Sequence, residues 1–116
     1  MNIVIVGNRI GWNYQRVEQV LLQNNVHKSD VIITGGAEGV DTFAIMYAKK
    51  AGCKCIIINP DTSIKSPDRY YKRNLEMVLM CDVVIAFNKK NEIRTGTHNT
   101  ITQAKSHNRK VIEVAE

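Results

Sequence analysis

Residues 30–52 read DVIITGGAEGVDTFAIMYAKKAG, and this stretch decides the fold class. It opens with a short apolar run, turns at two glycines, and continues into a segment with helical spacing. Four residues that recur at helical intervals form the predicted inner face of the helix: Phe43, Ala44, Tyr47 and Ala48. Gly52 is expected to end that helix, since glycine readily adopts the left-handed conformation of a helix terminus. The stretch therefore predicts a buried strand, a tight turn and a helix.

The same alternation runs through the whole chain of 116 residues. Apolar runs predict five strands, at 2–6, 30–34, 54–59, 82–88 and 110–114. Helical spacing predicts four helices, at 13–25, 39–52, 70–81 and 97–108. Continuously apolar strands are typical of a parallel sheet that is covered on both faces. The expected fold is α/β, a Rossmann-like three-layer sandwich whose five-stranded parallel sheet carries helices on both faces, in a single domain over residues 1–116.

Composition and charge exclude some classes of protein. No apolar run approaches the ~20 residues that span a membrane, and no charged segment precedes the first strand. We therefore expect a cytoplasmic protein without a membrane partner. Sixteen Lys and Arg residues against eleven Asp and Glu residues give a formal net charge of +5. This surplus favours an anionic partner, or simply keeps the helix faces solvated.

The cysteines and histidines indicate neither a disulfide nor a metal site. Cys53 and Cys55 alternate on a predicted strand and so share one face, and Cys81 ends a predicted helix. All three are expected to be buried thiols in a reducing compartment. A zinc site needs more ligands, at closer spacing, than the three histidines supply, which are His27, His98 and His107.

The loops that follow the strands carry the residues that point to a function. In a parallel α/β sheet these loops open at the carboxyl ends of the strands, where ligands bind. Gly35, Gly36 and Gly39 leave the backbone bare just before a helix, whose free N–H groups attract anions such as phosphate. The spacing matches neither G-x-G-x-x-G nor the Walker A motif. A tight turn that needs positive φ is the alternative explanation.

Asp41 lies in the first turn of the helix that follows these glycines. A carboxylate in this position stabilises the helix dipole, and it also accepts hydrogen bonds from a ribose hydroxyl. If the protein is an enzyme, Asp41 is the best candidate for a catalytic carboxylate, with Glu92 a poor second. The neighbouring Glu38 is expected to face solvent.

Two further stretches are expected to open into the same crevice. Gly96 and Thr97 begin the last predicted helix, where Thr97 either caps the helix or binds a phosphate. Arg73 follows the long loop that holds both prolines. An arginine there binds phosphate through two parallel hydrogen bonds, or pairs at the surface with Glu76 or Asp68.

The loop after the first strand, GNRIGWNY at 7–14, supplies the remaining candidates. Gly7 ends the strand, Arg9 is expected to clamp an anion, and Trp12 is expected to stack on a base. Packing of Trp12 against the sheet is the alternative. On the other side of the crevice, Asn74 is expected to hold a ribose.

Together these stretches resemble the SLOG superfamily of Rossmann-like nucleotide-binding proteins, in particular its small YpsA-related branch. The most specific parts are GGAEGVDTFA, RNLEMVLMCDVVIAFN and TGTHNTITQA, and the match covers nearly the whole chain. Members of the superfamily bind nucleotides or nucleotide-derived ligands in the crevice described above. The resemblance implies that the following residues line it: Gly7, Arg9, Gly35, Gly36, Gly39, Asp41, Arg73, Asn74, Gly96 and Thr97.

The chain is more distantly similar to two other branches. LOG-type phosphoribohydrolases carry P-G-G-x-G-T-x-x-E with a catalytic glutamate, whereas here the paired glycines before Gly96 and the glutamate after Thr97 are both absent. This difference argues against that activity. The DNA-processing protein A family carries a similar glycine loop and binds single-stranded DNA. Single-strand binders use a basic groove with aromatic platforms, and this chain has only seven aromatic residues.

The sequence thus favours a protein that binds a nucleotide or a nucleotide-derived ligand, as a sensor, carrier or sponge, with no cofactor required. A nucleotide N-glycosidase or phosphoribohydrolase-like enzyme is the alternative, and a single-stranded DNA-binding protein is the third reading. Short helices leave apolar faces that often pair. A homodimer or higher homo-oligomer is therefore expected, with a face that includes Met77, Leu79 and Met80.

Overall fold

The computed structural model describes residues 1–88 and 96–115, and within them five strands and four helices alternate. The strands β1 to β5 are Asn2–Gly7, Val31–Thr34, Lys54–Ile57, Val83–Phe87 and Lys110–Val114. The helices α1 to α4 are Tyr14–Gln23, Val40–Ala51, Asp68–Met80 and Gly96–Ser106. The predicted α/β Rossmann-like fold is confirmed.

The five strands are parallel and lie in the order β3-β2-β1-β4-β5. The chain builds outward from β1 through β2 to β3, and then returns to place β4 on the other side of β1. Val4, in the centre of the sheet, pairs with Ile33 of β2 and with Val84 of β4. The strand order reverses at β1, so the carboxyl end of β1 is the switch point at which sheets of this kind bind ligands.

Alternate residues of each strand face two separate cores, because successive side chains of a strand point to opposite faces. Ile3 and Ile5 of β1 belong to the core beneath α1 and α2, whereas Val4 and Val6 belong to the core beneath α3 and α4. All five residues of β4 are buried. Burial on both faces explains why the central strands read as uninterrupted apolar runs.

Helix α2 has the inner face and the end that the sequence predicts. Ala44, Tyr47 and Ala48 are buried in the first core, and Phe43 packs against it. The helix ends at Gly52, which has φ 79° in the left-handed region and donates its N–H to the carbonyl of Ala48.

Some boundaries differ from the predicted ones. α3 begins at Asp68 rather than at residue 70, and its dipole is stabilised by that acidic side chain in the first turn. β3 ends at Ile57, two residues early. Thr97 lies within α4, so it does not cap the helix, since a capping residue stands just outside the first turn. The polar loop at 89–95, which contains Glu92, lies outside the described residues.

One residue of the predicted dimer face, Met77, is not on the surface. Met77 is 1% exposed and belongs to the core beneath α3, because its helical position faces the sheet. Leu79 and Met80 are 52% and 39% exposed. The homo-oligomer itself stays a prediction.

The cysteines differ in burial. Cys81 is buried, whereas Cys53 and Cys55 are only half-buried, since β3 is an edge strand. Both pack against the first core, so they share one face, as their alternation predicts. Within residues 1–88 and 96–115, no three His, Cys, Asp or Glu side chains gather in a way that could hold a metal ion. None of the described helices is both long enough and apolar enough to cross a membrane.

Candidate functional site

A cleft of about 1070 Å³ opens at the carboxyl ends of the central strands. Its lining comes from the end of β1 and the residues after it, from the glycine loop after β2, and from the first turns of α3 and α4. Small-molecule sites typically measure roughly 300–1,000 Å³. The switch point of the sheet therefore coincides with a cleft of the size of a ligand site.

The glycine loop brings backbone against its neighbours at two points. Gly39 has φ 78° and ψ −125°, and a Cβ built on it would lie 2.6 Å from the carbonyl oxygen of Arg9. A Cβ on Gly35 would lie 2.3 Å from Nη1 of Arg73. The glycines thus form the turn. They also allow Arg9, in the loop after β1, to pack against the backbone of Gly39, and the Arg73 side chain to pack against that of Gly35.

Arg73 is the cation at the centre of the cleft wall. Its Nη1 donates to the carbonyl of Gly35 at 3.0 Å and more weakly to that of Ile58 at 3.4 Å. Burial lowers the pKa of the guanidinium, and Asp41 acts in the opposite direction, so the group stays a cation. Its Nη2 donates no hydrogen bond to any residue in the described ranges. The surface ion pair considered as an alternative is not what the structure shows.

Asn74 joins this arginine to the fourth helix. Its Oδ1 accepts a hydrogen bond from Nε of Arg73 at 2.9 Å, and its Nδ2 donates to Oδ1 of Asn99 at 3.0 Å. Asn74 is 2% exposed, so these bonds satisfy a buried amide. The chain of contacts from Gly35 through Arg73 and Asn74 to Asn99 fixes the glycine loop relative to α4.

Asp41 lines the same cleft as Arg73 and is 6% exposed. Its Oδ2 accepts a hydrogen bond from the backbone N–H of Ala37 at 3.1 Å, which holds the glycine loop closed. Burial raises the pKa of the Asp41 carboxyl, against the opposing effects of the Ala37 N–H, the Thr34 side chain and Arg73. The carboxylate is thus a structural acceptor in a cleft wall, with its charge partly balanced by the arginine.

The raised pKa of Asp41 gives a pH dependence that Asp41→Asn tests. The folded chain binds this proton more tightly than the unfolded chain, so the contribution of Asp41 to stability is greatest at low pH. It falls as the pH rises from about 4 through the raised pKa. The asparagine retains an acceptor for Ala37 but does not titrate. We expect the free energy of unfolding of the variant, minus that of the wild type, to grow between pH 4 and pH 7.

Urea unfolding curves at pH 4, 5.5 and 7 measure this difference. Because both proteins carry every other titrating group, the subtraction isolates position 41. A difference that is constant with pH, or that shrinks toward pH 7, would contradict the assignment.

The cleft brings together most of the residues that the sequence singled out. Its lining includes Gly7, Arg9, Gly35, Gly36, Asp41, Arg73, Asn74, Gly96 and Thr97. Gly39 is not part of the lining, since it supports the β1 loop from beneath. Trp12 is not part of it either: it packs edge-to-face on Phe87, with ring centroids 5.1 Å apart. The packing alternative for Trp12 is the one that the structure shows, and a base stacked on this ring has no support.

The cleft wall also has an aromatic part that is not among the predicted site residues. Tyr70 and Tyr71 line the cleft, as do Asn99 and Thr100 of α4. The helical spacing of Tyr70, Asn74 and Met77 could have revealed one face of α3 turned toward the cleft. That face lies within the predicted helix 70–81, but the spacing does not show whether it meets the core or the cleft.

The charges of the wall favour an anion. Among the described residues that line the cleft, Arg9 and Arg73 are cations and Asp41 is the acid. Arg9 is exposed, whereas Asp41 is buried. Two cations against one acid on this wall favour a negatively charged ligand.

Two solved structures share this fold. The X-ray structure of TM1055, a structural genomics target, superposes with a TM-score of 0.68 at 18% identity, over 95% of this chain and 71% of that one. The X-ray structure of DNA processing protein A (DprA) from Streptococcus pneumoniae superposes with a TM-score of 0.61 at 18% identity, over 96% of this chain and 58% of that one. The chain thus spans less than two thirds of DprA. Comparison with curated protein sequences found no significant match.

A family model matches the part of the chain that holds the first three strands and the glycine loop. The match covers residues 1–63, more than half of the chain. It agrees with the resemblance that the motifs carry. The protein belongs to the YspA, cpYpsA-related SLOG family.

Proposed function

We propose that the protein binds a nucleotide or a nucleotide-derived ligand in this cleft, as a sensor, carrier or sponge. The observation that carries the proposal is Arg73, which is fixed against the glycine loop through Gly35 while its Nη2 has no partner among the described residues. A guanidinium held in this way is prepared to bind a phosphate without losing further side-chain freedom.

Two other features support an anionic ligand. α4 begins at Gly96, where a Cβ would meet no atom of residues 1–88 or 96–115 within 4 Å, and Gly96 lines the cleft. Thr97 is 5% exposed, lines the cleft, and makes no side-chain hydrogen bond to any described residue. A threonine hydroxyl on the cleft wall can donate a hydrogen bond to a phosphate oxygen. The phosphate is proposed to lie between Arg73 and the start of α4.

Binding is favoured over hydrolysis by the state of the carboxylate. An N-glycosidase needs a carboxylate that reaches the sugar, and Asp41 is buried and already accepts a hydrogen bond from Ala37. This arrangement supports a binding protein, in which Asp41 orders the loop. The enzyme remains a distinct outcome of the experiment that follows.

Native mass spectrometry of the purified protein with a nucleotide panel tests the proposal. The panel contains AMP, ADP, NAD, ADP-ribose and cyclic nucleotides. We expect a retained ligand mass for at least one member. A complex or product that lacks the base would support the enzyme instead. The absence of an adduct with every member would overturn the proposal.

Gly96→Ala separates binding from stability. An added methyl group has room in the folded chain and restricts the unfolded one, so we expect stability to be unchanged or raised by about 0.5 kcal/mol. The same methyl group projects into the space proposed for the phosphate, and we expect about a tenfold loss of affinity for the retained ligand. Calorimetric titration and thermal unfolding of the same samples measure both effects. Unchanged affinity would place the anion elsewhere in the cleft.

A further inference from the structure

Tyr70 and Tyr71 form an aromatic wall on one side of the cleft. The two rings are 38% and 44% exposed, although large aromatic side chains usually bury most of their surface. Neither hydroxyl makes a hydrogen bond within the described residues. Both rings line the cleft, so the exposed surface faces the proposed ligand space rather than only open solvent.

The aromatic wall and the anion-binding part of the cleft are adjacent. Pro67, Tyr70 and Met77 come from α3 and the residue before it, and they line the cleft beside Arg73. The guanidinium carbon of Arg73 lies 5.9 Å from the centre of the Tyr70 ring. A phosphate on this arginine is therefore one short linker away from a flat apolar surface.

We propose that the wall of Tyr70 and Tyr71 receives the base of a free nucleotide whose phosphate is bound at Arg73. This inference rests on the proposed function and names its ligand class: a base-bearing phosphate compound, not a sugar phosphate or an inorganic anion. Aromatic rings stack on the π-face of any base, so the wall supplies affinity for a base without selecting which one.

A comparison of ligands with and without a base tests the inference. Calorimetric titrations use the four ribonucleoside 5′-monophosphates, ribose 5-phosphate and inorganic phosphate. Stacking on aromatic side chains contributes about 5- to 140-fold in affinity per base. We expect at least one monophosphate to bind the wild type about tenfold or more tightly than ribose 5-phosphate does.

Variants of the wall assign this preference to the rings. We expect the double variant Tyr70→Ala, Tyr71→Ala to lose the preference for the base and to bind ribose 5-phosphate as the wild type does. Replacement of both tyrosines by phenylalanine retains the rings and should retain the preference. Leu79→Ala is the matched control, because it removes an equally exposed apolar side chain of α3 that does not line the cleft.

Four results would overturn the inference. A base preference that survives in the double alanine variant places the base elsewhere. Equal binding of ribose 5-phosphate and all four nucleotides shows that no base is recognised, while the proposed phosphate site stands. Binding of a single-stranded oligonucleotide without a terminal phosphate, tighter than any mononucleotide and lost in the same variant, assigns the wall to a nucleic acid. If no compound of this set binds, the inference fails; the proposed function fails as well only if every member of the mass-spectrometry panel also leaves no adduct.

Discussion

Gly39→Ala is expected to lower the free energy of unfolding by about 4 kcal/mol, the largest loss of stability that we predict for a one-methyl change. The φ of 78° and ψ of −125° at Gly39 lie outside the regions that alanine adopts readily. The added Cβ would also lie 2.6 Å from the carbonyl oxygen of Arg9, a backbone atom that cannot rotate away. Domains of this size are stable by roughly 5–15 kcal/mol, so the variant is expected to remain mostly folded with a clearly lower unfolding midpoint.

Gly52→Ala is the matched control for this prediction. Gly52 has nearly the same φ, 79°, but the nearest atom to its added Cβ is the Cβ of Lys28 at an unstrained 3.8 Å. Gly52→Ala should lower the free energy of unfolding by about 1 kcal/mol, because alanine is strained in the left-handed conformation. Urea unfolding of both variants measures the difference. Equal losses of unfolding free energy in the two variants would mean that the close approach of Arg9 to Gly39 contributes nothing to the effect of Gly39→Ala.

Arg73→Gln is expected to weaken binding of the retained nucleotide by about 100-fold. Hydrogen bonds from a charged donor to phosphate contribute about 1.5–3 kcal/mol, and the variant loses the charge together with the fork of donors. Arg73→Lys should give an intermediate loss, since it restores the charge without the planar geometry. Calorimetric titration measures each affinity.

Two further variants separate the role of Arg73 in binding from its role in the fold. Arg109→Gln is the matched control: Arg109 also donates to backbone carbonyls, those of Val78 and His107, but it does not line the cleft. It should lower stability by about 1 kcal/mol and leave affinity unchanged. Gly35→Ala retains the arginine but displaces its Nη1, so it should weaken binding as Arg73→Gln does. Wild-type affinity in either cleft variant would remove Arg73 from the site.

The position of the cleft follows from periodicity, whereas the arrangement of its wall does not. Strands and helices follow from patterns within 10 to 20 residues, and the glycine loop follows from its place between β2 and α2. The contact of Arg73 with Gly35 joins residues 38 positions apart, and that of Asn74 with Asn99 joins residues 25 apart. No local pattern encodes such contacts, because they depend on how the strands are ordered across the sheet.

Hydrophobic period and glycine placement are local properties, so they predict the α/β fold, the parallel sheet, the end of α2 at Gly52 and most of the cleft residues. The roles of the aromatic residues depend instead on the packing of the whole chain. Trp12 lies against Phe87 in the core, whereas Tyr70 and Tyr71 line the cleft. An aromatic ring serves a core and a ligand equally well, and packing of the whole chain determines which surface it meets.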